Sequence, residues 1–146
     1  MKLSDPIMKG HYYEDIFVGQ KAIRSNLVTE RMLVTFAEVS GDKNPVHLDA
    51  EFAANTVFKE RIAHGILSAA FISAVNGMDL PGPGGIYISQ TLNFKAPVKI
   101  GDTVITTVEV VELLSKRRVR LSTVCSVNGK VVVDGEAVMM APSRPG

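Results

Sequence analysis

A carboxylate and an imidazole, Asp42 and His47, share the short run Ser40-Gly41-Asp42-Lys43-Asn44-Pro45-Val46-His47-Leu48-Asp49. Gly, Asp, Asn and Pro each favour turn geometry, so this run breaks the segment before it and holds both side chains on one tight loop. Groups placed in this way can reach the same small molecule, such as a water. Gly41 and Pro45 restrict the loop and set the geometry of the pair. Acid–base chemistry needs one group to take a proton and another to give one, and His serves both roles near neutral pH. A structural account stands beside the catalytic one. In it Asp42 satisfies turn amides, His47 is partly buried on a backbone partner, and Asn44 does ordinary turn chemistry before a proline.

Ala63-His64-Gly65 opens the next apolar segment. The first N–H groups of a helix have no internal partner, and the helix dipole places partial positive charge there. A thioester carbonyl aimed at the Gly65 N–H would find oxyanion stabilisation, and glycine lets the backbone approach a ligand closely. The plainer role for Gly65 is close packing of the helix start. His64 is expected to pack or to fix a loop. The spacing of His47, Asp49 and His64 matches no metal-binding pattern, so no metal site is expected.

The elements that must position these residues are legible as patterns. Thr29 is a good N-cap and Glu30 adds first-turn negative charge. Leu33, Phe36, Ala37 and Val39 form an apolar stripe, which predicts a helix over Glu30–Val39. Asp49 is placed to cap a second short helix through Asn55. His64 to Met78 is apolar nearly all round, with only small polar residues, so that helix is expected to be buried on most sides. Strands are expected at Gln20–Leu27 (an edge), Ile86–Phe94, Thr103–Leu114, Arg117–Val127 and Lys130–Met140. In the fourth, Val119, Leu121, Thr123, Cys125 and Val127 alternate with more polar residues, as on a sheet with one face on a core. Asn128-Gly129 is a strong hairpin signal. Helices followed by antiparallel strands argue an α+β domain, in which a curved antiparallel sheet wraps one long apolar helix. That is the hot-dog arrangement.

Composition narrows the partners. The chain has 146 residues, 46% hydrophobic and 21% charged, with a net charge of +1. One domain is expected over 1–146, with an N-terminal arm at 1–18 of no assigned role. A net charge this small gives no electrostatic case for nucleic-acid or membrane-surface binding. The lone Cys125 cannot close an internal disulfide and is read as a small buried hydrophobe. No stretch reaches the ~18–20 apolar residues that span a bilayer, and the first residues lack a signal-peptide core. A soluble, cytoplasmic protein is expected.

Phe36-Ala37-Glu38-Val39-Ser40-Gly41-Asp42-Lys43-Asn44-Pro45-Val46-His47-Leu48-Asp49 resembles the signature of the MaoC-like dehydratases and R-specific enoyl-CoA hydratases. The match continues through Ala53-Ala54, Ile62-Ala63-His64-Gly65-Ile66-Leu67, Pro81-Gly82 and Ile86-Tyr87-Ile88. It takes in Gln90, Leu92, Phe94-Lys95, Pro97-Val98 and Gly101-Asp102, and ends with Gly135-Glu136-Ala137, covering about Gly19 to Met140. The resemblance implies a hot-dog fold and Asp42 and His47 as a catalytic dyad that activates water. It implies that Asn44 shapes the loop, that the Gly65 N–H binds the thioester oxygen, and that Ser73 supports the site. It implies syn addition of water to a trans-2-enoyl thioester, giving the (R)-3-hydroxyacyl product, with the reverse dehydration. No cofactor is called for, because coenzyme A or a carrier protein's phosphopantetheine is part of the substrate. A homodimer or higher homo-oligomer is implied, and supply of polyhydroxyalkanoate precursors is one place for such an activity. Lys59, Arg61, Lys95, Lys116, Arg117 and Arg118 are the cations available for CoA phosphates. The competing functions are a 3-hydroxyacyl-carrier-protein dehydratase, a hot-dog acyl-CoA thioesterase and a non-catalytic acyl-thioester binding module.

Overall fold

Thr29 caps the first helix as its sequence suggests, accepting the Met32 N–H at 3.2 Å. The helix, α1, runs Glu30–Ser40 in the computed structural model, which describes residues 10–146. It buries Leu33 and Ala37 and half-buries Phe36, but Val39 is turned to solvent rather than joining the stripe. Gly41 ends the helix in the left-handed conformation (φ 79°), its N–H bonded to the Ala37 carbonyl at 2.9 Å. That conformation is open to glycine and strained for most other residues.

The segment after Gly41 is more ordered than the expected loop. Asn44 caps a one-turn helix, α2 (Pro45–Leu48), by accepting the Val46 N–H at 3.1 Å. Asp49 then caps α3 (Ala50–Ala54) by accepting from Glu51 and Phe52. The long apolar helix α4 is Gly65–Met78, with His64 as its N-cap residue.

The strands form one antiparallel, six-stranded sheet. β1 (Lys21–Leu27) is an edge, as expected, and pairs with β4 (Thr103–Leu113). The order continues through β5 (Arg118–Val127) and β6 (Lys130–Met140) to β2 (Ile86–Gln90). Asn128 and Gly129 both have positive φ (51° and 80°), the geometry of a type I′ hairpin between β5 and β6. Burial alternates strictly along β5, with Val119, Leu121, Thr123 and Cys125 inward.

The expected single strand Ile86–Phe94 is broken into β2 and a two-residue β3 (Asn93–Phe94), both paired with β6. The cause lies on the partner strand. At Gly135 any Cβ would overlap the Thr91 carbonyl, so the chain presses onto β6 there, and the Thr91 hydroxyl accepts the Glu136 N–H at 2.9 Å. This kink turns Phe94 and the segment after it toward the start of α4.

α4 lies on the sheet and divides the core. Leu67 and Ile72 pack with Leu33, Val98, Cys125 and Val133 at one end. Val75 packs with Val108, Leu121 and Met139 at the other. The helix is not buried on most sides within the chain. Its outer face, Ile66, Ala70, Ser73, Ala74, Gly77 and Met78, stays exposed.

Of the expected arm, residues 1–9 lie outside the described residues. From Gly10 onward the chain is part of the domain. The His11 N–H donates to the Pro81 carbonyl at 2.7 Å, the Tyr13 hydroxyl to the Leu114 carbonyl at 2.7 Å, and Ile16 enters the core.

Candidate active site

The loop between α1 and α2 builds the carboxylate side of the site. Ser40 Oγ donates to the Phe36 carbonyl at 2.6 Å and accepts the Asp42 N–H at 3.1 Å. Asp42 Oδ1 accepts the Asn44 N–H at 3.2 Å. Asp42 therefore satisfies a turn amide and also keeps an exposed carboxylate. Pro45 at the helix start removes an N–H that would have had no partner there, and α2 carries His47 inward from the loop.

His47 is 8% exposed, and its Nδ1 lies 2.8 Å from the Ile62 carbonyl oxygen. A carbonyl can only accept, so Nδ1 carries the proton in the neutral ring and Nε2 keeps its lone pair. Burial lowers the His47 pKa from its ordinary value. The Ile62 bond opposes that shift, His64 adds to it, and Asp42 opposes it. The ring is thus held neutral with an open acceptor.

His64 is 3% exposed, and its Nε2 lies 2.9 Å from the backbone carbonyl of Asp42. It fixes the loop, as its position suggested. The two imidazoles stack, with centroids 3.8 Å apart and planes at 27°, and Phe36 packs on His64 at 4.9 Å. One Asp42 carboxylate oxygen and one ring nitrogen from each histidine lie within 4.8 Å of one another. A water making two ~2.8 Å hydrogen bonds at a tetrahedral angle spans about that distance.

The same cluster is a poor metal cage. Imidazole lone pairs lie in the ring plane, and planes tilted by only 27° at this separation meet well beyond the ~2.0–2.1 Å of a metal–nitrogen bond.

A cleft of about 510 Å³ opens beside the cluster, lined by Ala63, His64, Gly65, Ser68, Phe94 and Val133, among others. Gly65 begins α4 here, with a first-turn N–H that no earlier helical carbonyl can accept. A Cβ on Gly65 would come within 2.8 Å of the Phe94 ring. Asp42, His47, Asn44 and Gly65 are therefore brought to one place. Ser73 is not. It sits exposed on the outer face of α4, whereas the buried Ser68 lines the cleft.

The cations sort by position. Lys95 lines the cleft. Lys116, Arg117 and Arg118 lie at the far end of the sheet, where Arg118 pairs with Met140 while the cleft is at Val133. Seven residues of strand at ~3.3 Å each separate the two ends. Arg61 is already engaged. Its Nε donates to the His47 carbonyl at 2.8 Å and its Nη1 to Glu30 at 2.7 Å. It ties α2 to α1, a positioning role that its residue type did not announce.

A model of the MaoC like domain matches residues 18–135. The chain belongs to that family. An (R)-specific enoyl-CoA hydratase of Rhodospirillum rubrum is 53% identical over 92% of this chain and 94% of its own length. A 3-hydroxybutyryl-CoA dehydratase of Methylorubrum extorquens is 51% identical over 95% of this chain and 89% of its own. Among solved structures, an unliganded R-hydratase from Pseudomonas aeruginosa superposes with a TM-score of 0.89 at 55% identity, covering 92% of this chain and 88% of that one. The MaoC-like chain thus shares the hot-dog fold of these neighbours. Among the described residues of this MaoC-like domain, no helix is long and apolar enough to cross a membrane.

Proposed function

We propose that this protein is an (R)-specific enoyl-CoA hydratase, a hydro-lyase that adds water to trans-2-enoyl-CoA and catalyses the reverse dehydration. The observation that carries the reading is the one-water gap between the Asp42 carboxylate and a His47 ring whose Nδ1 proton is pinned to Ile62. The water donates one hydrogen bond to Asp42 and one to His47 Nε2. As its oxygen bonds to C3, His47 takes the proton, and the electron pair moves through C2 to the thioester oxygen. The Gly65 N–H stabilises that oxyanion. His47 then returns the proton to C2 as the enolate collapses, while the Asp42 carboxylate supports the transient imidazolium. One water supplies both the hydroxyl and the proton from one face, which is syn addition. The reaction calls on no metal or redox cofactor.

Relatives described as hydratases and dehydratases of CoA thioesters support coenzyme A as the carrier, and Lys95 at the cleft offers a cation to the nucleotide phosphates. A homodimer is supported by the exposed Ile86, Tyr87 and Ile88 on the edge strand β2 and by the bare outer face of α4. A reducing, cytoplasmic setting fits the free, buried Cys125, whose thiol pKa burial pushes up. Supply of 3-hydroxyacyl units for polyester synthesis is a fitting use, as a structural neighbour from A. caviae is described as involved in PHA biosynthesis.

The test is incubation with crotonyl-CoA. Loss of the conjugated enoyl absorbance, no free thiol and an (R)-3-hydroxybutyryl product are expected. Thiol release would make the protein a thioesterase. Binding without turnover would make it an acyl-thioester binding module, and turnover only of carrier-protein substrates would make it a carrier-protein dehydratase.

A further inference from the structure

The hydration mechanism uses Asp42, His47 and Gly65 and leaves the buried imidazole of His64 without a task. His64 is nearly inaccessible, it touches both dyad members, and its Nδ1 has no hydrogen-bond partner among the described residues. Its other nitrogen, Nε2, meets the Asp42 carbonyl. The ring therefore carries its proton on Nε2 and buries an empty lone pair at Nδ1. A core residue kept only for packing would satisfy both nitrogens or be replaced by an apolar ring.

We infer that His64 is a positioning residue for the dyad: its Nε2–H anchors the Asp42 backbone and its ring face holds His47 as a neutral base. This deepens the hydratase reading and rests on it. The first half follows from how little else holds Asp42. Its N–H is held by Ser40 Oγ, but among the described residues its exposed carboxylate accepts only the Asn44 N–H of its own turn, so the carbonyl clamp helps to set where the carboxylate stands relative to His47. The second half follows from the stack. Two imidazoles 3.8 Å apart cannot both gain a proton without placing like charges face to face.

The groups around His64 support this. Phe36 on α1 is apolar, Asp42 on the loop presents its backbone carbonyl, and His47 on α2 presents its ring face. Lys43 is exposed on the loop, and Lys95 lines the cleft from the segment after β3. Arg61 is occupied by the His47 carbonyl and Glu30. No carboxylate of the described residues is hydrogen-bonded to His64, and the Asp42 carboxylate lies within 4.8 Å of one nitrogen of each ring.

Two substitutions separate the halves. His64→Gln keeps an N–H donor near the Nε2 position and removes the ring. His64→Phe keeps a ring and removes the donor. With three histidines in the chain, long-range 1H–15N spectra can follow each imidazole through a pH titration. In the native protein His64 is expected as the Nε2–H tautomer and His47 as the Nδ1–H tautomer. In His64→Gln the His47 midpoint moves to higher pH, and kcat falls less than in His64→Phe. In His64→Phe kcat falls by about tenfold or more with KM little changed, the scale of loss expected when a reacting group is misplaced.

An unmoved His47 midpoint in His64→Gln overturns the inference. So does an Nδ1–H tautomer at His64, or equal kcat losses in the two variants. If His64→Phe fails to fold, the titration of His64→Gln still decides. The spectra need no turnover, so a native protein inactive on crotonyl-CoA would defeat the hydratase reading and leave the His47–His64 coupling to be judged separately.

Discussion

His47 Nδ1 faces the carbonyl oxygen of Ile62 at 2.8 Å, fifteen residues away in sequence and on the strand-like bridge just before α4. That one bond fixes the ring's tautomer and aims the opposite nitrogen away from the backbone. It joins the two segments that build the candidate site, the loop of Asp42 and the start of α4.

The environment of His47 sets a pH dependence. Burial, opposed by the Ile62 bond and reinforced by His64, holds the His47 pKa below its ordinary value of about 6.5. A base acts in its neutral form, so activity is present above the folded pKa and lost as pH falls through it. The acidic limb of kcat/KM is expected below about pH 6.5. In stability the same sign holds. The unfolded chain protonates His47 first, so stability falls as pH drops below the unfolded value. A limb midpoint above 6.5 would count against His47 as the base.

Gly65 is constrained by space and not by backbone angle. Its Cβ would meet the Phe94 ring at 2.8 Å, and its φ lies outside the left-handed region. Gly65→Ala is expected to fold with little change in Tm and to lower kcat/KM by about tenfold, because the ring is pushed into the cleft where the thioester must approach helix α4. Gly65→Ala combined with Phe94→Leu should recover most of that loss. Native kinetics in the single variant would remove Gly65 from the site.

How much of this was legible from residues alone depends on how local the cause was. Thr29, Asp49 and Asn128-Gly129 act on their nearest neighbours, and each does what its type suggests. The alternation along β5 reports a face, and that face is the core. The break after Gln90 was not legible, because Gly135 on another strand imposes it. Helix α2 was hidden because Asn-Pro signals a turn, and a cap followed by proline at the first position also begins a helix. Arg61 looked like a spare cation until the fold brought Glu30 and the His47 carbonyl to it. That Asp42 and His47 share one place was visible from their common loop, but the His47 tautomer depends on Ile62, which no local pattern marks.

Arg61 makes a charge-assisted bond to a backbone carbonyl and an ion pair with an exposed Glu30. The first is worth about 1.5–3 kcal/mol and the second under about 1 kcal/mol. Arg61→Met should destabilise the protein by roughly 2 kcal/mol in urea unfolding and lower kcat through a looser α2. Glu30→Gln should do little to either. Equal effects of the two substitutions would show that the ion pair, and not the carbonyl bond, holds the helix.

The edge strand β2 exposes Ile86, Tyr87 and Ile88, and a charged residue on such an edge opposes pairing with another chain. Light scattering should give the native protein a mass of twice the 15.8 kDa chain or more, and Ile88→Lys should shift it toward one chain. A native monomer would contradict the homodimer.

The most direct test of the dyad is hydration of crotonyl-CoA by Asp42→Asn and His47→Gln beside the native protein, with folding checked by circular dichroism. Each substitution keeps size and removes the proton chemistry, so each is expected to cut kcat by about 10²–10⁴-fold, the usual contribution of a positioned acid–base group. The double variant should lose little more than the worse single one, because the two residues hold one water. Two folded variants that hydrate crotonyl-CoA at the native rate would contradict the central claim.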